Sequence, residues 1–211
     1  MDDIIRRVEQ YLTARGHVIT EGSASASEMR FLTEYIAERP KLLNICEIGF
    51  NAGLSASAFL SARENIRVVS FDIFDHDYAA DAQKLVEATY PGRHTMVKGD
   101  SKVTVPVYQG GQMPFDFVFV DGGHDLATAK ADLINAARLS SVSTSVMIDD
   151  LTPWEPWGIG PTAAWQELVR LGMIRQDGLW SNGEVITTIS GTRGDRVWAI
   201  GTYTARALQS E

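Results

Sequence analysis

The sequence predicts a doubly wound α/β domain: a seven-stranded, mostly parallel sheet with helices on both faces, an antiparallel hairpin at its end and a helical N-terminal extension. Three observations carry this expectation. Five short apolar runs, LLNICEIG, RVVSFDIF, HTMVKGD, FDFVFVDGG and SVMIDD, alternate with helical stretches from residue 42 to residue 150. Strands that alternate with helices build parallel βαβ units whose sheet is covered on both faces. After Gly160 a helix, PTAAWQELVRLG, is followed by EVITTIS, the turn GTRGD and RVWAIGTY, two apolar runs close enough to form a hairpin.

Along the chain, Ile4, Ile5, Val8, Tyr11 and Leu12 fall on one helical face, and that first helix should stop near Gly16. It is expected to act as a packing arm or as a contact between copies in a homo-oligomer. EGSASAS reads as a flexible turn. A second helix starts at Ser25, where Glu28 completes a capping box; Met29, Leu32, Tyr35 and Ile36 form its apolar stripe and Pro40 closes it. No repeat, low-complexity tract or long linker divides the chain, so residues 1–40 are expected to be a helical cap on a core spanning 41–211.

Composition narrows the function. The 211 residues carry 27 acidic against 19 basic side chains, a net charge of −8, without a clustered basic stripe. Binding nucleic acid needs such a cluster to neutralise phosphates, so no nucleic-acid partner is expected. MDDIIRRVEQYL lacks the basic and apolar regions of a secretion signal, and no apolar run approaches membrane-spanning length. A soluble cytoplasmic protein without a membrane partner is expected. The single cysteine, Cys46, sits in an apolar run and reads as core.

Ligands of an open parallel sheet bind outside the carboxyl ends of its strands, so the residues closing each strand are the candidates. The first strand closes as EIGFNAGLS, where Gly49 and Gly53 allow a tight turn and close approach to a ligand before a helix begins near Ser55. A dinucleotide fingerprint would read G-x-G-x-x-G. Here Glu47 faces the ligand instead, which would repel a diphosphate but suits a ligand bearing an ammonium and a sulfonium, and so favours S-adenosylmethionine over a nicotinamide. Asp72 closes the second strand 25 residues after Glu47, near the offset of an acid that meets ribose hydroxyls; a helix cap or a solvated loop acid is the competing reading. Gly99, Asp100 and Ser101 close the third strand, either accepting from an adenine amino group or forming an ordinary turn.

EIGFNAGLS, the acidic end of VVSFDIF, KGDS, FDFVFVDGGH and VMIDD, in this order, resemble the class I S-adenosylmethionine-dependent methyltransferases. They are most similar to small bacterial O-methyltransferases of the macrocin, cephalosporin and mycinamicin tailoring type. The resemblance runs from about residue 20 to residue 150, and EGSASASEMRFL resembles the segment that folds over the cofactor in those relatives. It implies a Rossmann-like core and a small-molecule acceptor of secondary metabolism. It also implies cofactor contacts from Glu47, Gly49, Asn51, Gly53 and Ser55 around the methionine moiety, Asp72 at the ribose, Asp100 and Ser101 near the adenine, and Asp121 beside the transferred methyl.

Asp121, Asp149 and Asp150 converge where the fourth and fifth strands end, and three carboxylates in one cleft repel unless a proton or a hard cation intervenes. Metal-dependent members of the family use a carboxylate after strand four and an acidic pair after strand five, which implies Mg²⁺ held by these three residues. His124 stands three residues past Asp121, and an imidazole is the side chain best suited to act as a general base near neutral pH. Some relatives carry an acid as base where Gly123 stands here, and others a histidine at 124. The loop LTPWEPWGIGPTAAW resembles a lid over an apolar acceptor, with Trp154 and Trp157 as substrate contacts. Trp165, Trp180 and Trp198 read as core, while His17, His76 and His94 read as surface. Two alternatives remain open: a metal-independent N- or O-methyltransferase in which the carboxylates are structural, and a non-catalytic cofactor-binding module.

Overall fold

The computed structural model describes residues 2–20, 25–111 and 113–209. Its helices are α1 (Asp2–Thr13), α2 (Ala26–Ala37), α3 (Leu54–Ala62), α4 (Ala79–Thr89), α5 (Ser101–Val107), α6 (Leu126–Ala137), α7 (Ile159–Arg170) and α8 (Ala205–Leu208). Its strands are β1 (Asn44–Ile48), β2 (Arg67–Asp72), β3 (His94–Lys98), β4 (Phe117–Val120), β5 (Ser145–Ile148), β6 (Ile174–Ser181), β7 (Glu184–Ile186) and β8 (Val197–Tyr203). No helix among the described residues is long and apolar enough to cross a membrane.

The strands form one sheet in the order β3-β2-β1-β4-β5-β8-β6-β7. The first five are parallel, and β8, β6 and β7 are antiparallel to their neighbours. The chain winds outward from β1 through β2 to β3, then crosses back to β4 on the other side of β1. That reversal opens a crevice at the carboxyl ends of β1 and β4, where a doubly wound fold binds its ligand.

Alternate residues along each strand feed two cores. Cys46, Ile48, Val118, Val120, Val146 and Ile148 pack beneath α6 and α7, and Ile45, Phe117, Phe119 and Met147 pack beneath the N-terminal helices. β4 is buried along its whole length, as its FVFV run requires. Helix α1 buries Ile4, Val8 and Leu12 against α3 and α4. Ser25 caps α2 by accepting from the Glu28 amide at 3.1 Å. Phe31 packs at 5.0 Å on Trp180 and 5.2 Å on Trp198, and Tyr35 at 5.5 Å on Phe117, which fixes α2 across β4, β6 and β8. The first four residues of the EGSASAS turn lie outside the described residues.

The sheet has eight strands rather than seven, and its hairpin is not the expected one. EVITTIS contributes only Glu184–Ile186, and that short strand pairs with β6 instead of β8. The extra strand, IRQDGLWS, exposes Arg175, Gln176 and Asp177 and shifts register between Gln176 and Gly178, so it lacks the apolar alternation that marks a half-buried strand. Asn182 and Gly183, at φ 52° and 94°, make the turn between β6 and β7, an Asn-Gly hairpin signal present in the sequence as SNGE.

Candidate active site

The loop after β1 is built around backbone conformations that few residues adopt. Gly49 has φ +96°, and a Cβ there would lie 1.9 Å from the Asp121 carbonyl oxygen, so the ends of β1 and β4 touch through a bare backbone. Gly53, at φ +74°, precedes α3 with the Phe50 ring 2.7 Å from where its Cβ would be. Asp72 gathers this loop: one carboxylate oxygen accepts from the amides of Phe50 (2.7 Å) and Asn51 (3.0 Å), and the other from Phe74 (2.7 Å). Asn51, at φ 48°, accepts from the Tyr78 hydroxyl at 2.6 Å.

Glu47 is fully buried. Its two carboxylate oxygens accept from the hydroxyls of Ser55 (2.6 Å) and Ser70. Burial raises its pKa to about 7, against the downward pull of the two serines. His94 continues the chain with Nε2 2.9 Å from the Ser70 hydroxyl, and its ring stacks on Phe50 at 5.2 Å. Contrary to the surface reading it is half-buried, and burial lowers its pKa to about 4. His17 is also drawn in, 3.1 Å from Asp81, and His76 stacks on Tyr78 at 4.9 Å.

Asp100 caps α5 through the Lys102 amide at 2.9 Å. Beside it the Ser101 hydroxyl donates to Asp132 at 2.6 Å. Asp132 was not singled out from the sequence; it is buried on α6 beneath Gly122, and burial raises its pKa to about 6.

Beyond β4 and β5, the ligand atoms of Asp121, His124 and Asp150 lie within 4.8 Å of one another. His124 Nε2 stands 3.0 Å from Asp150 Oδ2, and Arg196 Nη1 stands 3.5 Å from Asp150 Oδ1. Asp150 takes φ 59°, a left-handed conformation that Asp tolerates better than most side chains and that turns its carboxylate back toward β4. A cavity between β4, β5 and the start of α7 is lined by Asp121, Gly123, His124, Asp149, Asp150 and Pro161. At Gly123 a Cβ would lie 2.6 Å from the Thr128 side chain, so any larger residue there requires Thr128 to shift.

Asp149 lies outside this close group of three. Its carboxyl neighbours that of Glu28, which is buried on the inner face of α2, and the two can hydrogen-bond when one is protonated. Desolvation, then repulsion by Asp121, raises the pKa of Glu28 to about 7. Desolvation and the neighbouring carboxylates likewise hold Asp121 and Asp149 well above the usual range. Asp149 Oδ1 and Glu28 Oε2 are buried without a hydrogen-bond partner, and Asp150 Oδ1 has only the Arg196 ion pair at 3.5 Å. Unpaired buried carboxylate oxygens are costly, and a set of carboxylates with one imidazole suits a hard divalent cation. The residues present therefore fit the magnesium ion that the resemblance implies.

Sequence reasoning missed Glu28 and Arg196 at this site. Glu28 shares its helix face with Leu32 and Ile36 at i, i+4 and i+8, a spacing that could have flagged a buried acid. Arg196 is brought in only by the insertion of β8 beside β5. In the loop after β5, Trp157 is 42% exposed, whereas Trp154 is half-buried against Gly191 with its indole N–H unpaired. Trp165 and Trp198 are fully buried, as expected of core residues.

The family described as "Methyltransferase domain" matches residues 46–151, from β1 to just past β5. Three solved structures share the fold. An O-methyltransferase from Bacillus cereus in complex with S-adenosylhomocysteine is 20% identical, with 97% of this chain and 92% of that one covered at a TM-score of 0.71. The O-methyltransferase TomG from Streptomyces achromogenes, involved in tomaymycin synthesis and solved with S-adenosylmethionine, is 22% identical over 97% and 91% at 0.71. Cofactor-bound Rv0187 from MTB is 22% identical over 96% and 90% at 0.71. No curated protein matches the chain.

Proposed function

This chain belongs to the methyltransferase-domain family, and from that premise we propose that it is an S-adenosylmethionine-dependent O-methyltransferase acting on a hydroxyl of a small molecule, an intermediate of secondary metabolism, with a divalent cation and His124 as general base. The observation that carries the reading is the His124–Asp150 pair, 3.0 Å apart and with Asp121 in reach, at the strand ends beside the crevice.

In this reading Glu47, Gly49, Asn51, Gly53 and Ser55 form the floor for the methionine moiety, Asp72 faces the ribose, and Asp100 and Ser101 border the adenine. Asp121, Asp149 and Asp150 hold the cation, which, when bound, acidifies the acceptor hydroxyl. Asp150 takes the Nε2–H of His124, fixes the tautomer that leaves the lone pair on Nδ1, and stabilises the imidazolium that forms. His124 removes the hydroxyl proton, the oxygen forms its bond to the methyl carbon as the carbon–sulfur bond breaks, and S-adenosylhomocysteine is the second product. Trp157, with Trp154 behind it, borders the acceptor and excludes water from the charged atoms. Most of the acceleration comes from holding two reactants in line.

Incubation with methyl-labelled S-adenosylmethionine and a panel of hydroxylated acceptors, with Mg²⁺ or with a chelator, tests the proposal. Transfer that needs Mg²⁺ and is lost in His124→Ala is expected. Undiminished transfer in the chelator removes the cation from the account, and undiminished transfer in His124→Ala removes the base. A second reading has its own observation, the 4.8 Å clustering of Asp121, His124 and Asp150: His124 is then a ligand of the cation, and His124→Ala loses cation affinity as well as turnover.

A further inference from the structure

Of the four carboxylates gathered at the site, Asp121, Asp149 and Asp150 leave strand ends and the fourth, Glu28, is delivered by α2. That helix has little freedom: Met29, Leu32 and Ile36 are buried to 1% exposure or less, and Phe31 is wedged against Trp180 and Trp198. Glu28 itself is 1% exposed, where an apolar residue would cost nothing to bury. Its carboxyl neighbours that of Asp149, with which it hydrogen-bonds when one of the two is protonated, and its Oε2 has no partner. Asp149 Oδ1, in a residue only 4% exposed, is also unpaired, whereas Asp150 Oδ1 faces Arg196 Nη1 at 3.5 Å. Against four carboxylates stand the Arg196 guanidinium and the His124 imidazole. The buried Glu28 Oε2 and Asp149 Oδ1 are acceptors that a proton or a cation would satisfy.

We propose that Glu28 is a positioning residue of the cation site: it holds Asp149 from behind, so that the free Oδ1 is directed to the ion, and it ties α2 to cation binding. A partner behind a ligating group fixes its orientation, and removing such partners weakens metal affinity by about 10–100-fold. The inference rests on the cation reading given above and adds to it a residue from outside the strand ends.

Titration of Mn²⁺ by electron paramagnetic resonance, with S-adenosylhomocysteine present, on wild type, Glu28→Gln and Glu28→Leu tests it. Gln keeps a hydrogen bond to Asp149, and Leu fills the space without one. Glu28→Gln is expected to bind Mn²⁺ within about threefold of wild type, and Glu28→Leu about 10–100-fold more weakly. The rise in melting temperature on adding Mn²⁺ should follow the same order, persisting in wild type and Gln and disappearing in Leu. Wild-type affinity in Glu28→Leu overturns the inference and leaves the cation reading intact. Equal loss in both variants also overturns it, by making Glu28 a direct ligand. Absence of Mn²⁺ binding to the wild type overturns the cation reading and this inference with it.

Discussion

Replacing Gly49 by alanine isolates the contact on which the geometry of the crevice depends. An alanine Cβ at this position lies 1.9 Å from the Asp121 carbonyl oxygen and 2.6 Å from its carbon, so the two strand ends must part by about 1.5 Å to restore ordinary contact. Gly92 provides the control, because its φ is also positive, +70°, but nothing lies within 4 Å of its added Cβ. Alanine at positive φ costs about 1–2 kcal/mol, offset by about 0.4–1 kcal/mol from the less flexible unfolded chain, so Gly92→Ala should cost about 1 kcal/mol. Gly49→Ala adds overpacking of about 1–3 kcal/mol. It also threatens the Asp121 amide bond to Ile48 at 2.8 Å and the Asp149 amide bond to Val120 at 3.1 Å, each worth about 1 kcal/mol. The sum is about 5 kcal/mol, which lowers the melting temperature of a chain this size by about 10–20 °C. Thermal melting and calorimetric titration with S-adenosylhomocysteine measure both consequences, since Asp121 moves with its carbonyl. Equal melting temperatures for the two variants, with cofactor affinity intact in Gly49→Ala, would refute the reasoning.

Other substitutions separate structure from chemistry. Because the pKa of Glu47 is raised in the fold, from 4.5 to about 7, its ionisation should cost the cofactor-free protein stability as pH rises from about 4.5 to 7. Relative to wild type, Glu47→Gln should gain about 3 kcal/mol at pH 8 and nothing at pH 4 in urea denaturation; parallel pH profiles would contradict the burial of that charge. Trp165→Ala should cost about 3–5 kcal/mol, because it empties a fully buried site and removes the indole that donates to Gln176 at 2.8 Å. Trp157→Ala should leave melting almost unchanged and raise KM for the acceptor; a stability loss as large as that of Trp165→Ala would move Trp157 into the core. His124, 45% exposed in its side chain, should be replaceable by Ala with little effect on stability and a turnover loss of about 100- to 10,000-fold.

The parallel half of the fold was legible because a strand buried on both faces is an unbroken apolar run and its functional end is a sudden polar one. FVFV giving way to DGGHD, and VMI to DD, announced where the chain leaves the core. The antiparallel half was less legible. β6 is polar along one side, so its period is hidden, and β8 sits between β5 and β6, which no run of residues reveals. The same fact concealed Arg196, which reaches Asp150 only because β8 is inserted there. Glu28 was visible but was assigned to its own helix, since the capping-box pattern is local whereas its pairing with Asp149 crosses the domain. His94 looked like a surface residue because a histidine opening a strand gives no sign of the Ser70 and Glu47 side chains on adjacent strands.

The strand-end carboxylates are proposed to form a cation site for methyl transfer. Mn²⁺ binding, followed by electron paramagnetic resonance in protein saturated with S-adenosylhomocysteine, compares wild type with Asp150→Asn. Asparagine tolerates the left-handed backbone that this position adopts, at φ 59°, and so removes charge without adding strain. One equivalent of Mn²⁺ bound by wild type and lost in Asp150→Asn is the predicted result. Absence of binding in wild type, or undiminished binding in the variant, would contradict it.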